Sequence, residues 1–326
     1  MKLVYSLAWE VDPFVDIMDT FDDIEFTRAN AKQGFGPEIE DAEALIMSAT
    51  HYSADVAKEL NDRAKKLRWM QSAAIGYDNY VKFGVPEGVA LTTAAGLKGG
   101  AVSEHGFALL LALAHGTQFL ERYRQKVAWE NDIARTNITP LEGLTMAVIG
   151  YGSIGKEFAR KAKAFDMNVI AVSRSGSGDV NADQAVTAEN MCDALPEADV
   201  VCAALPANPE SEHLLDAKAF NAMKKGALFV NVGRGTTHDE KALVGALQSG
   251  HLGGAGLDVY EIEPLPADSP LWGMENVVMS PHVAGTSNRT YALFVDLVRN
   301  NLERLKKGEE LLNQVPAEFL KTPDAA

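Results

Sequence analysis

Arg234, Glu263 and His282, three ionisable side chains of different chemistry, each follow closely on a short apolar run in the second half of this 326-residue chain. Their segments read Asn231-Val-Gly-Arg234-Gly-Thr, Gly256-Leu-Asp258-Val-Tyr-Glu-Ile-Glu263-Pro-Leu-Pro266 and Ser280-Pro-His282-Val-Ala-Gly285. A guanidinium holds a carboxylate through two parallel hydrogen bonds. An imidazole delivers a proton to an oxygen that is gaining negative charge, and a carboxylate beside it keeps it protonated and oriented. Together these groups suit reduction of a keto acid. Singly, each has a plainer reading: Arg234 caps a turn, Glu263 before Pro264 is a solvated loop charge, and His282 after Pro281 is a satisfied loop histidine. The chemical reading is favoured because all three fall at strand ends beside a glycine loop.

That loop is Gly150-Tyr-Gly152-Ser153-Ile154-Gly155. It stands between an apolar run, Leu144 to Ile149, and an amphipathic stretch, Lys156 to Phe165, with a second apolar run from Asn168 to Val172. An isolated glycine turn says little, whereas the strand–turn–helix–strand context makes a dinucleotide fingerprint. Gly150 permits the tight turn, Gly152 lets a pyrophosphate approach the backbone, and Gly155 lets helix and strand pack. The N–H groups of Ser153, Ile154 and Gly155, at the positive end of the helix, would face the phosphates.

An acid normally follows roughly 20 residues on and grips the ribose hydroxyls. Here Ser173-Arg174-Ser175 stands in its place, and no acid occurs before Asp179. A carboxylate would repel a 2′-phosphate, whereas Ser173 and Ser175 can donate to it and Arg174 can pair with it or stack on the adenine. The expected cofactor is therefore NADP, with NADPH preferred and NAD possible. The plainer reading leaves Arg174 in solvent and the site tolerant of both.

The elements that must position these groups are legible as alternating apolar runs and helical patterns. The spacing predicts strands at 2–6, 24–28, 44–47, 68–72 and 89–92, then at 144–149, 168–172, 199–204, 227–232, 255–259 and 277–280. Such alternation implies parallel sheets with crossover helices. The fold class expected is α/β, with two Rossmann-like, doubly wound parallel-sheet domains. A dinucleotide-binding domain at 99–285 is inserted in a flavodoxin-like substrate domain built from 1–98 and 286–326. Val102 to Lys126 reads as one helix, apolar on nearly all faces in its first half and suited to a domain or subunit boundary. Its hydrophobic surface, with Trp129 close behind, predicts a two-fold homodimer. Ser287 to Leu312 reads as a further helix.

Composition narrows the function classes. Lys and Arg number 30 against 45 Asp and Glu, a formal charge of −15. That balance argues against nucleic-acid and anionic-membrane partners. The longest apolar run, Phe107 to Ala114, is too short to span a bilayer. The start, Met1 to Ser6, running on to Glu10 and Asp12, reads as a first strand rather than a signal peptide. Cys192 and Cys202 have no His/Cys cluster around them, so they are read as free thiols of a cytoplasmic protein, with no metal site.

In order and spacing, the motifs resemble the D-isomer-specific 2-hydroxyacid dehydrogenases over about Leu67 to Arg299. The pieces are Gln71-Ser-Ala-Ala-Ile75-Gly76-Tyr-Asp-Asn79, Gly96 through Ala101-Val-Ser-Glu104, the glycine loop, and the three segments that carry Arg234, Glu263 and His282. The resemblance implies that these last three are the catalytic group. It implies also that backbone amides near Ile75 and Gly76 bind the substrate carboxylate. Asp258 would hydrogen-bond the nicotinamide carboxamide, with Pro206, Val232 and Gly285 lining the cofactor cleft, and members of the family are usually dimers. A departure stands at Leu97-Lys98-Gly99-Gly100, where members often carry Asn or Thr. Lys98 there adds a positive charge for a substrate carboxylate or a cofactor phosphate, or is a solvated loop lysine. The reading is a 2-keto acid reductase of the glyoxylate/hydroxypyruvate type. Its alternatives are a phosphoglycerate- or phosphite-type dehydrogenase, or a dinucleotide-sensing corepressor-like binding protein.

Overall fold

The computed structural model describes residues 1–8, 21–129, 138–287 and 289–320; Glu10 and Asp12 lie outside them. The chain divides into two compact units, one of 1–98 with 287–326 and one of 99–286.

In the first unit β1 (Lys2–Ser6), β2 (Glu25–Arg28), β3 (Ala44–Met47), β4 (Trp69–Ser72) and β5 (Ala90–Thr92) form a parallel sheet in the order β2-β1-β3-β4-β5, the flavodoxin-like order. The central strands are covered on both faces, which is why Ala44–Met47 is continuously apolar and buried. Helix α1 (Ala54–Arg63) starts where the Ser53 hydroxyl accepts the Val56 N–H. Helix α2 (Asp78–Phe83) follows β4. The long helix of the returning segment spans Thr290–Lys307, shorter than expected, because Gly308 turns left-handed at φ +69° and ends it. Buried Asn301 ties that helix to the sheet: its amide donates to Gln71 Oε1 at 3.2 Å, and its Oδ1 accepts the Leu312 N–H at 2.8 Å.

The second unit carries β6 (Thr145–Ile149), β7 (Asn168–Ser173), β8 (Gln184–Thr187), β9 (Val200–Ala203), β10 (Leu228–Asn231), β11 (Gly254–Leu257) and β12 (Val277–Met279), all parallel, in the order β12-β11-β10-β9-β6-β7-β8. This is the dinucleotide-binding order extended by one strand. β8 was not expected. It is a four-residue edge strand whose residues are all exposed or half-buried, so it carries no apolar run.

The predicted single helix over 102–126 is two, α3 (Gly99–Ala114) and α4 (Thr117–Gln125), broken at Gly116 with φ +59°. α3 is apolar all round because it lies between the sheet and α5 (Ser153–Ala164) within its own unit. Glycines make room for it. A Cβ on Gly256 would stand 2.9 Å from Leu109 Cβ, and one on Gly106 would strike the ring of Phe158. The hydrophobic surface first assigned to a second copy is thus largely consumed inside the chain; Leu120 and Trp129, just beyond, stay exposed. The remaining helices are α6 (Met191–Ala194), α7 (Ala217–Ala222) and α8 (Glu240–Gln248). Cys192 and Cys202 are free. Among the described residues no helix is long and apolar enough to cross a membrane, and no group of three or more His, Cys, Asp or Glu could hold a metal ion.

Candidate active site

The glycine loop joins β6 to α5. Gly150 has φ +94°, and a Cβ there would lie 2.8 Å from the Ala204 carbonyl oxygen. A Cβ on Gly155 would collide with the Gly150 carbonyl, whereas one on Gly152 would meet nothing within 4 Å. Two glycines therefore close the turn, and the third leaves its backbone open. Gly152 caps α5 with no side-chain hydrogen bond, so the first-turn amides of Ser153, Ile154 and Gly155 keep their capacity for an anion. These residues fit the pyrophosphate of a dinucleotide.

At the end of β7 the serines expected to meet the ribose bond within their own turn. Ser173 Oγ donates to the Ser177 carbonyl at 3.0 Å and accepts the Ser177 N–H at 2.9 Å, and Ser175 Oγ donates to Ser177 Oγ at 2.8 Å. Both hydroxyls thus brace their own turn. Arg174 is 81% exposed and stands 3.8 Å from the carboxylate of Glu210. Asp179 accepts the Tyr151 hydroxyl at 2.7 Å and the Asn181 N–H at 2.9 Å, and those bonds hold its carboxyl below the usual range.

Arg234 follows β10, half-buried. Its own carbonyl accepts the Thr237 hydroxyl at 2.6 Å and the Asn231 amide at 3.2 Å, so the peptide carrying the guanidinium is fixed. The Arg234 Nη1 donates to the Gly233 carbonyl at 2.8 Å. The next residue, Gly235, packs so tightly on the Tyr260 carbonyl that a Cβ would overlap it. This contact presses the arginine turn against the segment that carries Glu263.

Asp258, 1% exposed at the end of β11, organises the third segment. Its N–H donates to the Asn231 carbonyl at 3.0 Å, and its carbonyl accepts the His282 N–H at 2.8 Å. Its carboxylate accepts Ser280 Oγ at 2.6 Å, the Val283 N–H at 2.9 Å and the Ala284 N–H at 2.9 Å. His282 is left-handed, φ +55°, a conformation that surrounding bonds must impose on a non-glycine residue. Its Nδ1 lies 2.7 Å from Glu263 Oε2, and the other Glu263 oxygen accepts the Tyr260 N–H at 3.1 Å. Burial pushes the Tyr260 hydroxyl up to about 12, so it keeps its proton and donates to the Ser280 carbonyl at 3.0 Å.

The structure thus brings Glu263 and His282 into contact and places Arg234 on the adjoining turn. Val232 is buried after β10, Pro206 is exposed after β9, and Gly285 ends the turn beyond His282. Ile75 and Gly76 lie half-buried in the loop between β4 and α2 of the first unit, and Lys98 is the last residue before the chain enters the second. Sequence reasoning gave no role to Tyr151, Gly235, Ser280 or His105. The two glycine-loop and arginine-turn neighbours sit beside residues already singled out, but no spacing signal joins His105 to Ser280.

Comparison with known proteins agrees with this fold. Residues 107–284 match the family model for the D-isomer specific 2-hydroxyacid dehydrogenase, NAD binding domain. The glyoxylate reductase of Korarchaeum cryptofilum is 34% identical, over 87% of this chain and 85% of that protein. The crystal structure of a D-isomer specific 2-hydroxyacid dehydrogenase family protein from Aeromonas salmonicida superposes with a TM-score of 0.84 at 31% identity, covering 97% of this chain and 98% of that one. The NADPH-dependent glyoxylate/hydroxypyruvate reductase of Sinorhizobium meliloti, solved with NADP and sulfate, gives a TM-score of 0.80 at 25% identity, covering 98% and 99%. The chain belongs to the D-isomer specific 2-hydroxyacid dehydrogenases, NAD(P)-dependent oxidoreductases that interconvert 2-keto acids and 2-hydroxy acids. These relatives favour keto-acid reduction over the phosphoglycerate, phosphite and corepressor readings.

Proposed function

We propose that this enzyme is an NADPH-preferring reductase of small 2-keto acids, glyoxylate and hydroxypyruvate first among them, forming glycolate from the former and D-2-hydroxy acids from substrates whose product is chiral. The observation that carries the chemistry is the bond of 2.7 Å between His282 Nδ1 and Glu263 Oε2. An ionised carboxylate only accepts, so Nδ1 carries its proton toward Glu263 and Nε2 remains to protonate the substrate oxygen. Arg234 binds the substrate carboxylate and polarises the adjoining carbonyl. Gly150, Gly152, Ser153, Ile154 and Gly155 hold the pyrophosphate, and Asp258, Pro206, Val232 and Gly285 line the nicotinamide side. When bound, the nicotinamide cofactor supplies the hydride that reduces C2. In the first unit, the amides at Ile75 and Gly76 and the ammonium of Lys98 are anion-binding groups on the same reading.

The test is a steady-state panel of glyoxylate, hydroxypyruvate and phenylpyruvate with NADPH and with NADH. Turnover of the two smaller acids with NADPH is expected to be fastest; no turnover of any 2-keto acid would overturn the reading. The relatives named as glyoxylate reductases and the NADP-bound reductase support the choice of substrate and cofactor. A homodimer is also proposed, on the exposed Leu120, Val127, Trp129 and Ile138, and a monomer by light scattering at micromolar concentration would refute it.

A further inference from the structure

His105, on α3, is 175 positions from Ser280 in the chain, yet its Nε2 is 2.7 Å from Ser280 Oγ. Ser280 Oγ is in turn 2.6 Å from Asp258 Oδ1, and His105 Nε2 itself is 3.6 Å from that oxygen. Chemistry fixes the direction of this chain of bonds. The Asp258 carboxylate already accepts two backbone N–H groups, so the single Ser280 hydroxyl proton goes to Asp258. The hydroxyl must then accept from His105, and His105 carries its proton on Nε2.

We propose that His105 is a positioning residue for the proton donor, acting through Ser280 and Asp258 on the backbone of His282. The inference rests on His282 being that donor. Asp258 holds His282 by its carbonyl and the next two residues by its carboxylate, and these bonds keep φ at +55°. Of the described side chains on Asp258 Oδ1, Ser280 alone makes a short bond, and His105 sets the rotamer of that hydroxyl. The Tyr260 hydroxyl holds the Ser280 carbonyl independently, so the loop stays folded when His105 is removed and what changes is its aim. The glycine loop, on β6, is not touched by this relay.

The experiment compares keto-acid reduction by the unaltered enzyme, His105→Ala, His105→Gln, Ser280→Ala and His282→Ala, with thermal melts to confirm folding. A donor displaced by a fraction of an ångström costs roughly 10- to 100-fold in kcat, which is the loss expected for His105→Ala and Ser280→Ala. KM for NADPH is expected to move by less than about threefold, since the interaction lost acts on the chemical step. His105→Gln, whose side-chain amide also donates, recovers most of the rate. Unchanged kcat in folded His105→Ala beside an inactive His282→Ala overturns the proposal alone. So does a His105→Gln enzyme as slow as His105→Ala. Full activity in His282→Ala overturns it together with the assignment of the donor.

Discussion

Glu263 Oε2 and His282 Nδ1 are 2.7 Å apart, although 19 positions separate the two residues and they follow different strands, β11 and β12. Both side chains are a third to a half exposed, so their ion pair adds little to stability. Its consequence is orientation, because the Tyr260 N–H pins the second carboxylate oxygen. Glu263→Gln keeps the shape and removes the charge. It is expected to lower kcat for reduction by roughly 10- to 100-fold, less than the 10²–10⁴-fold typical of losing a positioned acid altogether, as in His282→Ala. Steady-state rates with saturating cofactor measure both, and an unaltered kcat in Glu263→Gln would remove the carboxylate from the mechanism.

The Arg234 carbonyl is fixed by Thr237 and Asn231 and its Nη1 donates to the Gly233 carbonyl, so the turn that carries the guanidinium is set, and on the proposed reading its charge serves an anionic substrate. Truncating one member of a hydrogen-bonded charge pair costs about 2–5 kcal/mol, the loss expected in kcat/KM for Arg234→Ala. Arg234→Lys should recover only part, since an ammonium lacks the planar fork. Cofactor affinity, followed by nicotinamide fluorescence, should stay close to that of the parent. A variant impaired in cofactor binding alone would move Arg234 to the cofactor's list of contacts.

The parallel strands were readable within a residue or two because most of the buried ones, such as Ala44–Met47 and Val200–Ala203, are continuous apolar runs. β8 escaped that signal by lying half-exposed at an edge. The break at Gly116 escaped because apolar residues continue on both sides of it. Excess hydrophobicity in α3 read as a subunit contact, yet Gly106 on the helix and Gly254 and Gly256 on β11 notch the facing surfaces so that helix and sheet close on it from within the unit. In the site, Arg234, Glu263 and His282 were visible as motifs, and so was Asp258. What no motif could show is which side of Asp258 is occupied, or that His105 stands behind it, because such contacts join residues with no local spacing in common.

His238 gives the fold a pH dependence of its own. Burial pushes its imidazole down to about 4, with the charge of nearby His213 adding to the shift and Asp239 opposing it. Its Nδ1 lies 3.0 Å from the Asn231 amide, which also bonds the Arg234 carbonyl, and its buried Nε2 has no hydrogen-bond partner among the described residues. The unfolded chain, with an ordinary histidine near 6.5, binds a proton that the folded chain refuses. Stability is therefore full above pH 6.5 and falls as pH drops toward 4, by about 3 kcal/mol in all. His238→Asn keeps an acceptor for Asn231 and abolishes the titration. Between pH 7 and pH 5 the parent should lose about 2 kcal/mol relative to this variant, read as a fall in its Tm against that of the variant. Parallel Tm curves across that range would show that His238 titrates normally.

On the proposed reading, cofactor choice turns on Arg174. Ser173 and Ser175 spend their hydroxyls on Ser177, and Asp179 is taken by Tyr151 and Asn181, so no carboxylate from that stretch is left to grip ribose hydroxyls. Arg174 projects into solvent with Glu210 3.8 Å away. A 2′-phosphate would compete with Glu210 for the guanidinium and be repelled by the same carboxylate. Charge-assisted bonds to phosphate are worth about 1.5–3 kcal/mol. Arg174→Ala should therefore raise KM for NADPH about tenfold or more and leave NADH nearly unchanged. Glu210→Gln should act in the opposite sense. An exposed pair is worth about 0.2–1 kcal/mol, so its removal is expected to widen the preference for NADPH by about two- to fivefold. Comparing kcat/KM for the two cofactors in all three proteins checks both arms. Equal values in the unaltered enzyme would end the case for NADPH, and a Glu210→Gln enzyme that shifts toward NADH would mean that Glu210, not Arg174, reads the ribose.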